Sequence, residues 1–417
     1  MSTTNTLFVM VASILVFFMT PGLAFFYGGM VSRRNSVNTL LSVFFISGLA
    51  IILWVILGYS LSFNGNVFGL VGNLHAMMMS NVRLDQLTTG KIPLGLYSLF
   101  QMMFAIITPA LFVGAIVGRV RFKFLMVFII CWSICVYYPL VHMIWGNGLL
   151  SKLGALDFAG GTVVHINAGI TALALSIMVG PRSHPEDEHA NHSWILLGTA
   201  ILWIGWYGFN AGSALAINDV AMQAMITTTI ATAASMVAWQ LLEVWRVGHI
   251  TLVGTCSGAL CGLVAITPAA GYVAIDGAIW IGLIGSIVSF LFVTLIKPRI
   301  HLDDTLDAFG CHGVSGIWGS IATGLFASHA INGHVTSDGL FVGAGWHLFN
   351  IQLLTTIIVI AWTLIISMLL IKLISCWMQI RVSSDDEILG LDLSQHNEPL
   401  HSTRLADERT EQINSAT

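Results

Sequence analysis

Eleven apolar runs of about 20 residues or more dominate this sequence and limit what it can fold into. A helix of that length crosses the hydrocarbon core of a bilayer, where only helices and closed barrels satisfy the backbone hydrogen bonds. Hydrophobic residues make up 56% of the chain and charged residues 9%, far more apolar than a soluble domain. The runs cover about residues 7–31, 36–63, 94–118, 124–146, 160–180, 194–215, 220–244, 250–271, 273–296, 305–327 and 344–378. We therefore predict an all-α polytopic membrane protein with eleven transmembrane helices.

The basic residues between the runs predict the orientation of these helices. The loops after odd-numbered helices carry nine of them: Arg33, Arg34, Arg119, Arg121, Lys123, Arg182, Arg246, Lys297 and Arg299. The loops after even-numbered helices carry three: Arg83, Lys91 and Lys152. Lysine and arginine accumulate on the cytoplasmic side of short loops. We expect the N-terminus outside the cell and the C-terminus in the cytoplasm.

Two histidines occur in matching contexts inside predicted membrane helices. His165 begins the stretch HINAGI and His312 begins HGVSGI, 147 positions later. They fall on helices five and ten, which run in opposite directions, so we predict an inverted repeat of five plus five helices with halves at about 7–180 and 194–327. Such repeats place a transport pathway where the halves meet. Ionisable residues in a bilayer are expensive and usually face a cavity; two core histidines that tie helices together are the alternative.

The end of the chain lies outside this repeat. The eleventh helix, at 344–378, would extend about 52 Å at 1.5 Å per residue, so it must tilt or project beyond the bilayer. After Met378 the sequence becomes polar. We predict a membrane domain at 1–378 and a cytoplasmic tail at 379–417.

Three polar or aromatic residues meet at the predicted outer side. Trp145 and Ser213 fall at the outer ends of helices four and six and would share one vestibule. A tryptophan face attracts a partly desolvated cation, and a serine oxygen accepts a hydrogen bond from it; an interfacial anchor is the alternative for the tryptophan. Asp157 precedes helix five, where it would cap the helix and bias the site toward cations.

Aromatic residues lie one step deeper. Phe209 is four residues before Ser213 and therefore on the same helix face, and Phe104 lies near the middle of helix three. Paired phenyl rings form a constriction that blocks hydrated ions by dewetting. Beyond them would lie His165 and His312, whose neutral imidazoles each offer one donor and one acceptor.

Several other functions are not supported. The net charge of −4 comes with no basic patch, so nucleic acid is not a predicted partner. No cofactor motif, HExxH motif or cysteine pattern of a metal site is present, and the six cysteines lie in apolar segments as packing residues. We predict neither an enzyme nor a resident metal. One loop holds possible metal ligands but is predicted to be a solvated surface loop: His184, Glu186, Asp187, Glu188, His189 and His192.

At these residues the sequence strongly resembles the ammonium transporter (Amt/Mep/Rh) family, and specifically its bacterial Amt branch. The resemblance covers about residues 7–380. The stretches that carry it are PGLAFFYGG (21–29), HMIWGNG (142–148), DFAGGTVVHINA (157–168), IGWYGFNAGSA (204–214) and DAFGCHGVSGI (307–317).

The resemblance implies a role for each candidate residue. Trp145 and Ser213, with Asp157 and Phe104 beside them, resemble the family's external ammonium-recruitment site. Phe104 and Phe209 resemble its phenyl gate. The pore would then be lined by His165, His312 and Thr267.

The resemblance also implies partners and a location. The family forms homotrimers with one pore in each subunit, lies in the cell inner membrane of bacteria, accepts methylammonium as an analogue of ammonium and docks cytoplasmic PII signalling proteins. The tail segment LGLDLSQHNEP (389–399) resembles a family stretch, but Asn397 stands where glycine is usual. Asp276 receives no role.

Two alternatives remain at the level of the sequence. Ammonium transport through the histidine pair would be electrogenic if the proton returns through it, and neutral otherwise. An ammonium sensor with the same fold, signalling through its cytoplasmic side, is a different class of function.

Overall fold

The computed structural model describes residues 1–183, 185, 189–343 and 345–400. Within these, the regular secondary structure is helical apart from three isolated β-bridges, and turns and loops connect the helices. Eleven helices in this described part correspond one by one to the predicted runs. They are α1 (Thr3–Met30), α2 (Arg33–Phe63), α3 (Leu94–Val113), α4 (Phe122–Trp132, Ser133–Tyr137 and Tyr138–Trp145), α5 (Gly161–Val179), α6 (His192–Gly212), α7 (Asp219–Val247), α8 (Leu252–Ile266), α9 (Ile275–Arg299), α10 (Phe309–Val314 and Ser315–Phe326) and α11 (His347–Ser375). The predicted fold class is confirmed.

Nine of these helices are long and apolar enough to cross a membrane, and α8 and α10 are shorter. The sequence predicts a run at 250–271, but α8 ends at Ile266 and the chain continues in turns. Pro268 explains the early end, because proline has no N–H to donate and its ring clashes with the preceding helical turn.

The predicted eleventh helix is too long at both ends. The helix covers His347–Ser375, 29 residues, instead of 344–378, so it extends about 44 Å rather than 52 Å. Gly343 and Gly345 precede it with φ values of 109° and 79°, a left-handed conformation that a right-handed helix cannot contain. Turns follow Ser375, so the boundary between membrane helix and tail lies a few residues earlier than predicted.

The inverted repeat is visible in the caps of α5 and α10. The Asp157 carboxylate accepts hydrogen bonds from the backbone N–H groups of Gly160, Thr162 and Val163 at 2.9–3.0 Å. Asp304 lies 147 positions later, the same offset as the histidines, and caps α10 in the same way. Its partners are the N–H groups of Ala308, Phe309 and Gly310 at 2.8–3.2 Å. Each aspartate therefore lies eight residues before its histidine.

Glycines allow α5 and α10 to cross with their backbones in contact. A Cβ on Gly169 would lie 2.2 Å from the N atom of Gly313. The repeat-related contact joins Gly316 and Ile166, where a Cβ would lie 3.2 Å from the N atom. Small residues at such crossings are the usual way for membrane helices to pack closely. The two histidines are brought together by this crossing.

The first helix of each half packs against the other half in a similar way. A Cβ on Gly198 of α6 would lie 2.4 Å from the backbone N atom of Phe26 on α1, and one on Gly22 would lie 2.7 Å from the side chain of Ile201. Further along the same helices, Gly205 and Gly208 of α6 lie equally close to Met19 and Leu15 of α1, so the two helices pack together over most of their length.

Wide π-helical turns interrupt helices at matching positions of the two halves. Helices α4 and α9 contain them at Ser133–Tyr137 and Phe292–Ile296, and α5 and α10 begin with them at Gly161–Ile166 and Phe309–Val314. A π turn changes the direction of the side chains that follow, and such turns are frequent at functional sites. His165 lies within the turn of this kind in α5, and His312 lies within the one in α10.

The described part of the tail, residues 379–400, lies against the face of the bundle that we call the C-terminal face. Two short helices form it, α12 (Ser384–Leu389) and α13 (Leu391–His396). The Asp392 carboxylate accepts hydrogen bonds from the N–H groups of Val37 and Asn38 at 3.0 and 2.7 Å, at the start of α2. His396 packs edge-on against Phe122 of α4, with ring centroids 5.1 Å apart. Residues 401–417 lie outside the described residues.

Asn397 ends α13 in a left-handed conformation, with φ 53° and ψ 35°. Glycine adopts this conformation most easily and asparagine is the next most frequent choice. The departure from glycine at this position therefore preserves the backbone conformation that the docked tail requires.

We expect Asp392→Ala to release the tail from the bundle. The carboxylate caps α2 from another part of the chain, and loss of an aspartate cap typically costs about 0.5–2 kcal/mol. Hydrogen exchange of residues 391–396, and of the Val37 and Asn38 amides that lose their acceptor, should accelerate by roughly 2- to 30-fold, with the other membrane helices unaffected. Asp385→Ala, the same substitution at an exposed position of α12, is the matched control. Unchanged exchange in the Asp392 variant would contradict this account of docking.

Candidate functional site

The face of the bundle opposite the C-terminal face carries the N-terminus, and we call it the N-terminal face. A vestibule of about 620 Å³ opens there. Its wall includes Trp145, Ser213, Phe104 and the buried Asp157. The structure thus brings together the four residues that the sequence assigned to cation recruitment. We call this cavity the N-terminal vestibule.

Hydrogen bonds fix the two side chains at its rim. The indole N–H of Trp145 donates to the backbone oxygen of Asp157 at 2.9 Å, which orients the ring. The Ser213 hydroxyl donates to the backbone oxygen of Phe209 at 2.8 Å, so its own oxygen can still accept a hydrogen bond. The arrangement offers a cation an aromatic face and an acceptor oxygen.

Asp157 supports this site without exposing its charge. Its side chain is buried and both carboxylate oxygens are used by the N–H groups at the start of α5. Burial raises the pKa of Asp157, and those backbone hydrogen bonds oppose the rise. It therefore fixes the start of α5 and the backbone oxygen that orients Trp145.

Two phenyl rings form the floor of the vestibule. Phe104 and Phe209 are buried, with ring centroids 4.4 Å apart and planes inclined by 39°. Phe104 also packs edge-on against Trp145, at 5.7 Å. Phe104 lines the N-terminal vestibule and Phe209 lines the cavity beneath it. The pair separates these two spaces.

The cavity beneath, which we call the inner cavity, is narrow. Its volume of about 30 Å³ has room for roughly two water molecules. His165 and His312 line it with their rings nearly parallel, 5.3 Å apart between centroids. Within the described residues neither nitrogen of His165 has a hydrogen-bond partner, nor does Nδ1 of His312. Buried polar atoms are normally paired, so these nitrogens are available to a small polar molecule in the cavity.

Trp206 holds His165 in place, a role that was not predicted from the sequence. The indole stacks on His165 with centroids 5.2 Å apart, and its N–H donates to the Thr267 hydroxyl at 2.8 Å. Thr267 donates in turn to the backbone oxygen of Leu263. Thr267 is buried, contacts the indole through this hydrogen bond and does not line the inner cavity, although the resemblance implied a place in the pore lining.

Asp304 is the second residue whose role was not predicted from the sequence. Its signal was present, because it stands 147 positions after Asp157 just as His312 stands 147 after His165. Burial raises the pKa of Asp304, as it does for Asp157. Asp276, which had no assigned role, accepts a hydrogen bond from the N–H of Gly277 in the first turn of α9. That position suits an acidic residue, because the helix dipole is positive there.

A third cavity of about 410 Å³, the C-terminal vestibule, opens on the C-terminal face. Met30, Leu306 and Asp307 line both this vestibule and the inner cavity, so the two cavities adjoin each other there. Asp307 forms an ion pair with Lys297 at 2.5 Å beside this junction. The three cavities therefore follow one another across the bundle, with the phenyl pair between the first two and Met30, Leu306 and Asp307 between the last two.

No group of three or more histidine, cysteine or acidic residues is arranged to hold a metal ion within the described part of the chain. Four of the possible ligands in the loop before α6, His184, Glu186, Asp187 and Glu188, lie outside the described residues. His189 and His192 lie near each other, with centroids 5.6 Å apart, and His189 contacts the backbone oxygen of Met30.

Comparisons with known proteins agree with this architecture. The model of the Ammonium Transporter Family matches residues 7–400. An ammonium transporter from Bacillus subtilis is 42% identical over 398 residues, which cover 94% of this chain and 97% of that protein. The crystal structure of Candida albicans Mep2 has a TM-score of 0.85 at 34% identity, covering 92% of this chain and 87% of that one.

A solved sensor Amt protein is also similar, with a TM-score of 0.86 at 27% identity, covering 94% of this chain and 98% of that one. The homologues are transporters and not enzymes, in agreement with the expectation from the sequence. Bacterial and archaeal ammonium transporters at about 40% identity are among them, as the resemblance to the Amt branch predicted. The chain belongs to the ammonium transporter family, and it is a multi-pass membrane protein.

Proposed function

We propose that the chain transports ammonium by capturing the cation in the N-terminal vestibule and passing ammonia through the inner cavity. Trp145 and Ser213 bind ammonium, which loses its proton before it passes Phe104 and Phe209. Ammonia then hydrogen bonds to His165 and His312. The observation that carries this proposal is a spatial order: the N-terminal vestibule with Trp145 and Ser213 is followed by the phenyl pair, and the phenyl pair by the unpaired imidazoles of the inner cavity.

Desolvation is the physical reason for the loss of the proton. A buried, unpaired charge costs several kcal/mol or more. Among the described residues that line the inner cavity, the one acidic side chain, Asp307, is already paired with Lys297. Ammonia needs only a few hydrogen bonds, which the imidazole nitrogens supply. Potassium has no proton to release, so the same path excludes it.

Two versions of the mechanism differ in the fate of the proton. If the proton crosses through the paired imidazoles, transport carries charge; if it stays outside, transport is neutral. Recording currents from proteoliposomes on solid-supported membranes separates the versions. An ammonium-evoked current supports the relay, and its absence in protein that still takes up methylammonium leaves only neutral passage.

Methylammonium uptake tests the proposed function itself. Cells that lack their own ammonium transporters should take up labelled methylammonium when they express this chain, and ammonium should compete. Membranes that contain the folded protein but show no uptake above the empty control would reject transport.

We expect Trp145→Leu to raise the KM for methylammonium without abolishing uptake. A cation–π contact contributes about 0.5–2 kcal/mol, which corresponds to roughly a 2- to 30-fold change in KM. Trp346→Leu is a suitable control, because Trp346 is exposed and does not line the vestibule. Equal KM values for the two variants would remove Trp145 from the recruitment site.

The proposal extends to the location, the orientation, the oligomeric state and the partners of the protein. We place it in the cell inner membrane with the N-terminal face outside, a membrane domain that ends at α11 and a cytoplasmic tail. We also propose a homotrimer with one pore in each subunit, and docking of PII signalling proteins on the C-terminal face. The nine basic residues in the loops of that face support this orientation.

A sensor is the second candidate function, favoured by the similarity to the sensor Amt protein. Sensing requires a tail that changes its contacts when ammonium binds. Hydrogen exchange of α12 and α13 in the purified protein, with and without ammonium, reports such a change. A change in exchange, in a protein that confers no methylammonium uptake on cells, would favour sensing over transport.

A further inference from the structure

Two cysteines face each other on the wall of the inner cavity, and the proposed mechanism does not use them. Cys261 lies on α8 and Cys311 lies on α10, directly before His312. Their Sγ atoms are 3.7 Å apart, and both residues line the inner cavity together with that histidine. Both are free thiols.

We propose that Cys261 and Cys311 form a binding site for a soft, thiophilic divalent ion such as Hg²⁺, and that an ion held there blocks the inner cavity. Thiolate sulfur selects soft ions over hard ones. Binding can be tested independently, whereas the block rests on the transport function proposed above.

The distance between the sulfurs fits a bound ion. Metal–thiolate bonds are about 2.3 Å long, so a bent S–metal–S arrangement bridges 3.7 Å without movement of either sulfur, and a linear one requires the sulfurs to separate by about 0.9 Å. Cys311 is only partly buried and borders the cavity, which has room for roughly two water molecules. The side chains can therefore open toward that space.

The charge balance favours a divalent ion. Two thiols bind M²⁺ by forming two metal–sulfur bonds and releasing two protons, which gives a neutral bis-thiolate complex. A neutral complex is favoured in this place because a net charge buried in apolar surroundings is costly. Zn²⁺ is disfavoured, because structural zinc sites use four protein ligands and the described residues provide no set of three or more.

The site is reached from the C-terminal face. The inner cavity adjoins the C-terminal vestibule at Met30, Leu306 and Asp307, so entry from that side requires these side chains to move, whereas the phenyl pair lies at the other end. An ion that enters from this vestibule meets the thiols without passing between the rings. The released protons leave by the same route.

A variant that retains only this pair tests the proposal. Serine replaces the four other cysteines, Cys131, Cys135, Cys256 and Cys376. Titration of the purified variant with HgCl₂ should show one ion bound per chain, with both thiols protected from a thiol reagent under denaturing conditions, and equal ZnCl₂ should protect neither. Methylammonium uptake by proteoliposomes should fall at least about tenfold with HgCl₂, because a plugged pore does not conduct, and should return with dithiothreitol.

Single variants in the same background provide the matched controls. With Cys261→Ser or Cys311→Ser, glutathione should remove the ion and uptake should resist the concentration that blocks the parent; the rate before metal addition is each variant's own reference. Full block in either single variant would overturn the two-thiol site. Stoichiometric binding with unchanged uptake would overturn the block. If the parent takes up no methylammonium, the HgCl₂ titration alone decides whether the two thiols bind the ion. Where a serine variant does not fold, the corresponding alanine variant replaces it.

Discussion

Gly169→Ala should destroy the contact between α5 and α10 and with it most of the transport activity. The new Cβ would lie 2.2 Å from the N atom and 2.3 Å from the Cα atom of Gly313. Both are backbone atoms, so no side chain can move aside and the two helices must separate. Inserting a methyl group into a well-packed core already costs about 1–3 kcal/mol, and a clash between backbones exceeds that range.

Comparison with two other glycines makes this expectation specific. Gly316, in the repeat-related contact, would place a Cβ 3.2 Å from its nearest atoms, so Gly316→Ala should cost less. Gly48 lies in α2, and a Cβ there would have no neighbouring atom within 4 Å. Gly48→Ala should therefore be neutral or slightly stabilising, since alanine favours helix. The losses of thermal stability in detergent and of methylammonium uptake should both increase in the order Gly48→Ala, Gly316→Ala, Gly169→Ala. An equal loss in all three would contradict the crossing as its cause.

The sequence predicted this crossing only indirectly. The spacing of His165 and His312, with their helices in opposite directions, indicated two related halves that meet at these residues. The eleven runs also predicted the helices well, because a bilayer requires long apolar segments with internally satisfied backbones. The small residues after each histidine were visible in HINAGI and HGVSGI, but their contact distances depend on how the helices cross.

Other features depend on tertiary contacts that hydropathy does not report. The π turns that contain both histidines arise from hydrogen-bond register, which has no clear sequence signal. Trp206 is, in the sequence, one more aromatic residue in an apolar helix, and only the fold stacks it on His165. The docked tail was predicted only to be polar, since its contacts with α2 and α4 involve residues more than 270 positions away.

The ends of α11 also could not be located from hydropathy alone. Apolar composition continued from 344 to 378, but the helix begins only after two left-handed glycines and ends at Ser375. Hydropathy measures what a segment can bury, whereas a helix end is decided by backbone conformation and capping. Asp304 is the opposite case, because the offset of 147 would have identified it from the sequence alone.

His165→Leu should lower methylammonium uptake by roughly 5- to 150-fold while the protein remains folded. Leucine has a similar size but no hydrogen-bonding atom, so a small polar molecule in the inner cavity loses its partner at this level. Leaving a buried polar group unpaired costs about 1–3 kcal/mol, which as an added barrier gives the expected range. His249→Leu, at an exposed loop position far along the chain, is the matched control and should keep its rate.

His165→Gln separates conduction from proton transfer. Glutamine keeps a donor and an acceptor but cannot take up a proton at physiological pH. If the imidazoles relay the proton, this variant should lose the ammonium-evoked current, because the 5.3 Å path between the two rings is broken. If transport is neutral, it should retain uptake and show no current, like the parent protein. Full uptake and current in the leucine variant would mean that the paired histidines only pack α5 against α10, and the conduction path would then have to be sought elsewhere.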